Sequence, residues 1–167
     1  MLKKVAETSL LKAVELIQLY LEDQLSNGRF EIAPVPLLSG NPGIGKSAMI
    51  TQLATRLRTK DNRKIMIKTI HPALKPLEMF SGIPEIVRKE HEHELVTRWT
   101  KPEIVDLQSK EDEILIWFWD DIHLLDQSQA KYCFELLTYR KLHDYEIPEN
   151  TVFVWAGNHS FQSLIGT

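Results

Sequence analysis

Gly40, Gly45, Lys46 and Ser47 stand at the spacing Gly-x-x-x-x-Gly-Lys-Ser. Those residue types suit a polyanion. Glycines let the backbone curl until successive N–H groups point inward at phosphate oxygens. A helix opening at Lys46 adds the partial positive charge of its N-terminus. Lys46 would reach the β- and γ-phosphates of a nucleotide, and the Ser47 hydroxyl would sit on Mg²⁺. The segment Gly40-Asn41-Pro42-Gly43-Ile44-Gly45-Lys46-Ser47, with Ala48 after it, is therefore expected to line a phosphate site. The alternative is a chance glycine-rich turn. Against it, a short apolar run, Val35 to Leu38, precedes the loop and a helical pattern follows it, which is the context this motif requires.

Two further places could serve the same chemistry. Ile114 to Trp119 is six consecutive apolar residues, and Asp120-Asp121 follows directly. An Asp at the end of a buried strand holds Mg²⁺ in phosphate-loop enzymes. Asp120 is the expected metal ligand. Asp121 would orient or deprotonate an attacking water, which a base must approach to about 3 Å. The alternative for both is a cap on the following turn. Thr151 to Trp155 leads into Ala156-Gly157-Asn158. An Asn at that strand tip could sit between the loop and the acidic pair, with its amide on the γ-phosphate or the water. A turn-forming Asn after Gly is the simpler reading.

The elements that must position these groups alternate. Apolar residues at helical spacing, namely Leu11, Val14, Leu16, Ile17, Leu21 and Leu25, predict an amphipathic helix over 8–25, ended by Asn27-Gly28. A second helix is expected from Lys46 to Thr59 and a strand over Ile65 to Ile70. Pro72 and Pro76 bracket a short helical piece near Leu77 to Phe80. Glu85 to Glu90 and Glu94 to Thr100 could pair as a hairpin with His91 to His93 at its tip and Trp99 as an anchor. Gln127 to Tyr139 reads as a helix with Ala130, Cys133, Phe134 and Leu137 on one side, and Leu142 to Ile147 as a small hairpin. The Ile114 to Trp119 run suits a strand buried on both faces of a parallel sheet. Strands alternating with helices predict an α/β domain with a mostly parallel sheet.

The loop, the acidic pair and the strand-tip Asn, in that order, resemble the AAA+ ATPases. Finer details are similar to the MoxR-type branch: Pro42 to Ser47; Leu77-Glu78-Met79-Phe80-Ser81-Gly82-Ile83-Pro84; Asp120-Asp121-Ile122-His123, where that branch has Asp-Glu; Gln129 to Leu137, then Tyr139-Arg140; Tyr145 to Asn150; and Val154 to Asn158. The resemblance covers about residues 35–167. It implies a three-layer αβα P-loop fold with a five-stranded sheet in the order 5-1-4-3-2. It also implies ATP as ligand and substrate with ADP as product, Mg²⁺, and a homo-oligomer, typically a hexameric ring, that remodels a protein partner as a chaperone or motor. Residues 1–167 would form one AAA+ core, with an N-terminal amphipathic helix within 1–30 and a hairpin insert at 84–102. The family's arginine finger, second sensor and helical lid lie beyond the Asn158 position, and the sequence stops at Thr167. An arginine finger is worth about 10³–10⁵ in rate. The expectation is a fragment or short version that binds nucleotide better than it hydrolyses it. Arg140 could act across a subunit interface or simply end its helix as a cation.

Composition narrows the rest. The chain has 167 residues, a formal net charge of −3, and 43% hydrophobic residues, which suits one domain with a real core. No apolar run approaches the roughly 20 residues that cross a bilayer, and the N-terminus lacks a signal-peptide pattern, so a cytoplasmic protein is expected. One cysteine, Cys133, excludes an internal disulfide and a cysteine zinc cluster, and reads as a buried, inert thiol. The acidic balance gives no nucleic-acid footprint beyond Arg56, Arg58, Lys60, Arg63 and Lys64, which also suit a solvated helix end. His91 and His93 share a strand face but offer only two metal ligands. Trp117 and Trp119 read as core. Two other functions compete: a helicase-loader or clamp-loader-like ATPase on DNA complexes, and a ringless nucleotide switch or kinase. The kinase reading lacks an arginine-rich lid.

Overall fold

A strand that is apolar at every position has two faces to bury, and the fold supplies a helical layer for each. The computed structural model describes residues 9–27, 35–57, 59, 63–88, 95–107, 110 and 112–158. Within them lie α1 (Leu10–Asn27), β1 (Leu37–Ser39), α2 (Lys46–Arg56), β2 (Lys64–Ile70), α3 (Glu78–Ser81), β3 (Pro84–Arg88), β4 (Leu95–Trp99), β5 (Glu113–Trp119), α4 (Gln127–Tyr139), β6 (Lys141–Leu142), β7 (Tyr145–Glu146) and β8 (Thr151–Gly157). Short 3₁₀ turns occupy Pro72–Leu74, Glu103–Val105 and Ile122–Leu124.

Among the described residues the main sheet has four strands in the order β1-β8-β5-β2, every pair parallel. These are the first four strands of the 5-1-4-3-2 order. The fifth strand of that order is not among the described residues. Alternation along the two central strands splits the core. Ile114, Ile116 and Phe118 of β5, with Val152, Val154 and Ala156 of β8, pack against Ile17, Leu21 and Leu25 of α1 and Met49, Ile50 and Leu53 of α2. Leu115, Trp117 and Trp119, with Phe153 and Trp155, pack on the other face with Phe80 of α3 and Cys133 and Leu136 of α4. The period-2 geometry of a strand dictates this division. It makes the domain a three-layer αβα α/β fold.

The aromatics of the second face interlock. The Trp117 and Trp119 ring centroids lie 4.9 Å apart edge to face, and Trp119 stacks on Trp155 at 5.5 Å. Both tryptophans of β5 are core, as their run implies. Helix α4 starts on a reciprocal cap: the Gln129 N–H donates to the Asp126 carboxylate at 2.8 Å and the Asp126 N–H to the Gln129 side-chain oxygen at 3.1 Å.

Some local expectations need correction. Leu11 and Leu16 are exposed, because the buried stripe of α1 runs through Ile17, Leu21 and Leu25 instead. On α4 the buried positions are Gln129, Cys133 and Leu136, and Phe134 turns outward. Helix α2 ends at Arg56 rather than Thr59, because Leu57 adopts an extended conformation while its N–H bonds the Leu53 carbonyl. Arg140 ends α4 at φ 49°, donates to the carbonyls of Pro148 at 3.2 Å and Thr151 at 2.9 Å, and lies 5.1 Å from the Phe153 ring centre. Those contacts fit the expected helix-end cation.

Candidate phosphate-binding site

Parallel strands in register finish at one edge of a sheet, so the residues just beyond them meet there. Ser39 pairs with Gly157, Trp119 with Trp155 and Ile70 with Trp119. Gly40, Asn158, Asp120 and His71 are the next residues along these four strands. Two of them, Asp120 and Asn158, reach a cavity of about 390 Å³ whose lining also includes Pro42, Gly43, Gly45, Lys46, Ser47, Ala48 and Asp121.

The loop curls through two residues in the left-handed region, Gly43 at φ 78° and Gly45 at φ 91°. A side chain at either position would strain that path. Gly45 is also the N-cap of α2, and the first N–H groups of a helix have no acceptor within it. They and the helix dipole offer the cavity partial positive charge. Lys46 is buried, and its ammonium donates to the carbonyls of Gly40 and Asn41 at 3.0 and 3.1 Å and to Asn158 Oδ1 at 3.1 Å. Ser47 Oγ hydrogen-bonds Asp120 Oδ2. Asp120 is buried, and its second oxygen accepts the Asp121 N–H at 2.9 Å.

The chain turns sharply at Asp121, which sits at φ 56°. The two neighbouring carboxylates differ in setting: Asp120 is buried and bonded to Ser47, while Asp121 is half-exposed. His71 Nδ1 stands 3.7 Å from Asp121 Oδ2. One ligand atom each from His71, Asp120 and Asp121 lies within 4.8 Å of the others. Mg²⁺ prefers oxygen donors. The Ser47 hydroxyl and Asp120 carboxylate, already in contact, fit that preference, and the His71 nitrogen does not.

Every expected site residue except Asn41, Gly40 and Ile44 lines this cavity. Asn41 and Gly40 offer their carbonyls to Lys46 instead, and Ile44 is exposed on the loop. No motif marks His71 or gives His123 a role, although His123 Nε2 lies 2.9 Å from the Asn158 amide nitrogen. Position was the available signal: a polar residue immediately after a predicted parallel strand belongs at the site edge. His91 and His93 lie outside the described residues, as do Arg58 and Lys60. A second cavity, about 270 Å³, shares Gly45 and Ala48 with the first and is otherwise lined by Val14, Met49, Gln52, Leu53 and Arg56. Cys133 is buried, and burial pushes its thiol up to about 12, which keeps it neutral. No helix among the described residues is long and apolar enough to cross a membrane.

Comparisons with known proteins bear on the fold and the family. PCH-2 of C. elegans superposes with a TM-score of 0.54 at 16% identity, over 92% of this chain and 39% of that one. A variant of Thermotoga maritima RuvB does so at 0.50 and 18%, over 91% and 39%. NtrX from Brucella abortus reaches 0.50 at 10%, over 96% and 32%. At such identities the likeness is one of fold, and the chain spans well under half the length of each. No curated protein sequence matches. The sequence profile of the AAA domain (dynein-related subfamily) matches residues 36–153. That match runs from the strand before the phosphate loop into the strand before Asn158, and the chain belongs to that AAA family.

Proposed function

We propose that this AAA domain binds ATP with Mg²⁺ and hydrolyses it to ADP, and that turnover drives the remodelling of a protein partner in the manner of the MoxR-type branch. The observation that carries the reading is the convergence of the Lys46 ammonium, the Ser47–Asp120 pair and Asp121 on one cavity at the strand ends.

In this reading Lys46 exchanges its carbonyl partners for β- and γ-phosphate oxygens, and the backbone N–H groups of residues 43–48 donate to the remaining phosphate oxygens. Ser47 and Asp120 would hold Mg²⁺, which when bound neutralises charge on the β- and γ-oxygens. Asp121 orients the water for in-line attack at phosphorus and takes its proton. Asn158 offers its amide to the γ-phosphate or that water. The cavity shared by Gly45 and Ala48 has the size and apolar wall for the base, with the Gln52 amide to meet a ring nitrogen.

The protein-remodelling part rests on exposed apolar surface. Strands β3 and β4 pair as an antiparallel ribbon, and Ile86, Leu95 and Trp99 on it are exposed. Beside it, β4, α4 and the β6–β7 hairpin line an open groove of about 1070 Å³ bearing Trp99, Phe134 and Tyr139. We place a protein partner on that side, and a ring of copies around the nucleotide. The ribbon would be the insert of a single AAA+ core.

Calorimetry tests the nucleotide site. Lys46→Ala should weaken ATP binding roughly 10-fold to 150-fold, since a hydrogen bond to a charged group contributes about 1.5–3 kcal/mol. Unchanged affinity discards the assignment. Asp121→Asn should bind ATP normally and lose about 10²–10⁴ in turnover. Sizing the same samples with and without ATP and Mg²⁺ tests the ring.

A further inference from the structure

The residue that follows β8, Asn158, is held from two sides. Its Oδ1 accepts from the Lys46 ammonium at 3.1 Å, and its amide nitrogen lies 2.9 Å from His123 Nε2. An ammonium has only protons to offer, so the amide oxygen must face Lys46 and the NH₂ must face the imidazole. His123 Nε2 must then be an acceptor, and the imidazole proton must reside on Nδ1. Nδ1 is buried and has no hydrogen-bond partner. A donor left unpaired in that way costs stability, and nothing at Nδ1 selects this tautomer. The contact at Nε2 does.

The backbone brings the two groups together. Asp121 turns the chain at φ 56° into the 3₁₀ turn Ile122–Leu124, and the end of β8 passes against that turn. A Cβ at Gly157 would stand 3.4 Å from Ile122 Cγ1 and 3.6 Å from His123 Cβ. His123 thus projects from the segment that carries the acidic pair and reaches the amide on the neighbouring strand. An amide held by Lys46 alone could rotate about its last torsion as soon as the ammonium turned to a phosphate.

We infer that His123 is a positioning residue: its neutral, Nδ1-protonated imidazole accepts one hydrogen of the Asn158 amide and aims the other hydrogen and Oδ1 into the cavity. The inference rests on the reading of Asn158 as a group that meets the γ-phosphate or the water. His123 itself touches neither. It would also couple the Asp120–Asp121 turn to the strand tip, so that a shift of one is felt by the other.

A double-mutant cycle on the full chain tests it, with ATP affinity and turnover measured separately. His123→Ala should lower kcat about tenfold, the scale of one hydrogen bond in a rate, with ATP Kd within about threefold of the parent. Asn158→Ala should lower kcat at least as much, and the double variant should be no slower than Asn158→Ala. His123→Gln, which restores an acceptor, should recover most of the loss. Penalties that multiply, or full activity in His123→Ala beside an impaired Asn158→Ala, overturn the coupling. Normal turnover in Asn158→Ala removes the role of Asn158 and this inference with it. A defect in ATP affinity from Lys46→Ala would still stand, so the two failures separate. A readout independent of turnover is the ring ¹H–¹⁵N correlation of His123, expected to show a bare Nε2 that shifts in Asn158→Ala. A protonated Nε2 in the parent refutes the proposal outright.

Discussion

Strand β5 and the β3–β4 ribbon draw on the same residue types and use them oppositely. Six of the seven residues of β5 are buried, and the strand lies between two parallel neighbours. The ten residues of the ribbon include none that is buried, and Ile86, Leu95 and Trp99 stand exposed on it. Burial on both faces fixes the path and register of β5, and therefore fixes where Asp120 emerges from it. The proposed phosphate chemistry would tolerate little displacement, and such a strand would hold its carboxylate in place. The ribbon's side chains answer to no core. Its connection to the body is local: the Trp99 ring stacks on His143 at 6.2 Å, and Tyr145 Oη donates to the Trp99 carbonyl at 3.4 Å.

The largest break in this comparison comes from the core side. Phe118 is fully buried in the layer shared by α1 and α2. Phe118→Ala should cost about 3–5 kcal/mol, a large share of the roughly 5–15 kcal/mol that holds a domain together. Because Phe118 lies two residues before Asp120, nucleotide affinity should fall with stability in urea titrations and calorimetry. A loss of less than about 1 kcal/mol would show that the β5 layer repacks freely, and would undercut the claim that burial sets the position of the carboxylate.

The same contrast governs what the sequence could tell. The phosphate loop was legible because its glycines, lysine and serine are contiguous and each answers a local need. Strand β5 was legible because six apolar residues in a row have few other uses. The strand order was not derivable from pattern: it follows from which faces pair, and it came with the family resemblance. The Asn158–His123 contact was illegible because it joins residues 35 apart in sequence through a turn that Asp121 makes at positive φ. The outward placement of Phe134 was missed because helical periodicity gives a stripe but not its exact centre. Cys133 and Phe134 were assigned to one side, and a rotation of about 100° per residue separates them.

Those two neighbours sharpen the comparison on a smaller scale. Cys133 faces the core and Phe134 faces solvent. Burial raises the Cys133 thiol from its ordinary value, near 8.5, up to about 12. Below pH ~8.5 both folded and unfolded chains keep the proton. Above it the unfolded chain releases the proton and the folded one does not. Stability should therefore fall as pH rises toward 12, at about 1.4 kcal/mol per unit. Tyr20, also pushed up to about 12 by burial, adds a slope of the same sign above its ordinary value near 10. Urea midpoints of the parent and Cys133→Ala, taken from pH 7 to 10, should differ by a pH-independent packing offset plus the thiol's slope. An identical decline in both would place the source elsewhere.

The smallest effect is expected on the ribbon. Ile86 is 74% exposed and stands opposite Thr97 across the β3–β4 ladder. A cross-strand pair contributes about 0.2–1 kcal/mol, and little apolar area leaves water when the rest of the side chain is already wet. Ile86→Ser should thus lower stability by less than about 1 kcal/mol and leave ATP affinity unchanged, since Ile86 is absent from the nucleotide cavity. The informative measurement is the pair: a thermal midpoint beside a partner-dependent rate of ATP turnover. A ribbon that exists for contact should lose the second while keeping the first. If instead Ile86→Ser unfolds the domain as severely as Phe118→Ala, the ribbon is part of the fold's support, and the division between a buried strand that places carboxylates and an exposed one that meets a partner does not hold.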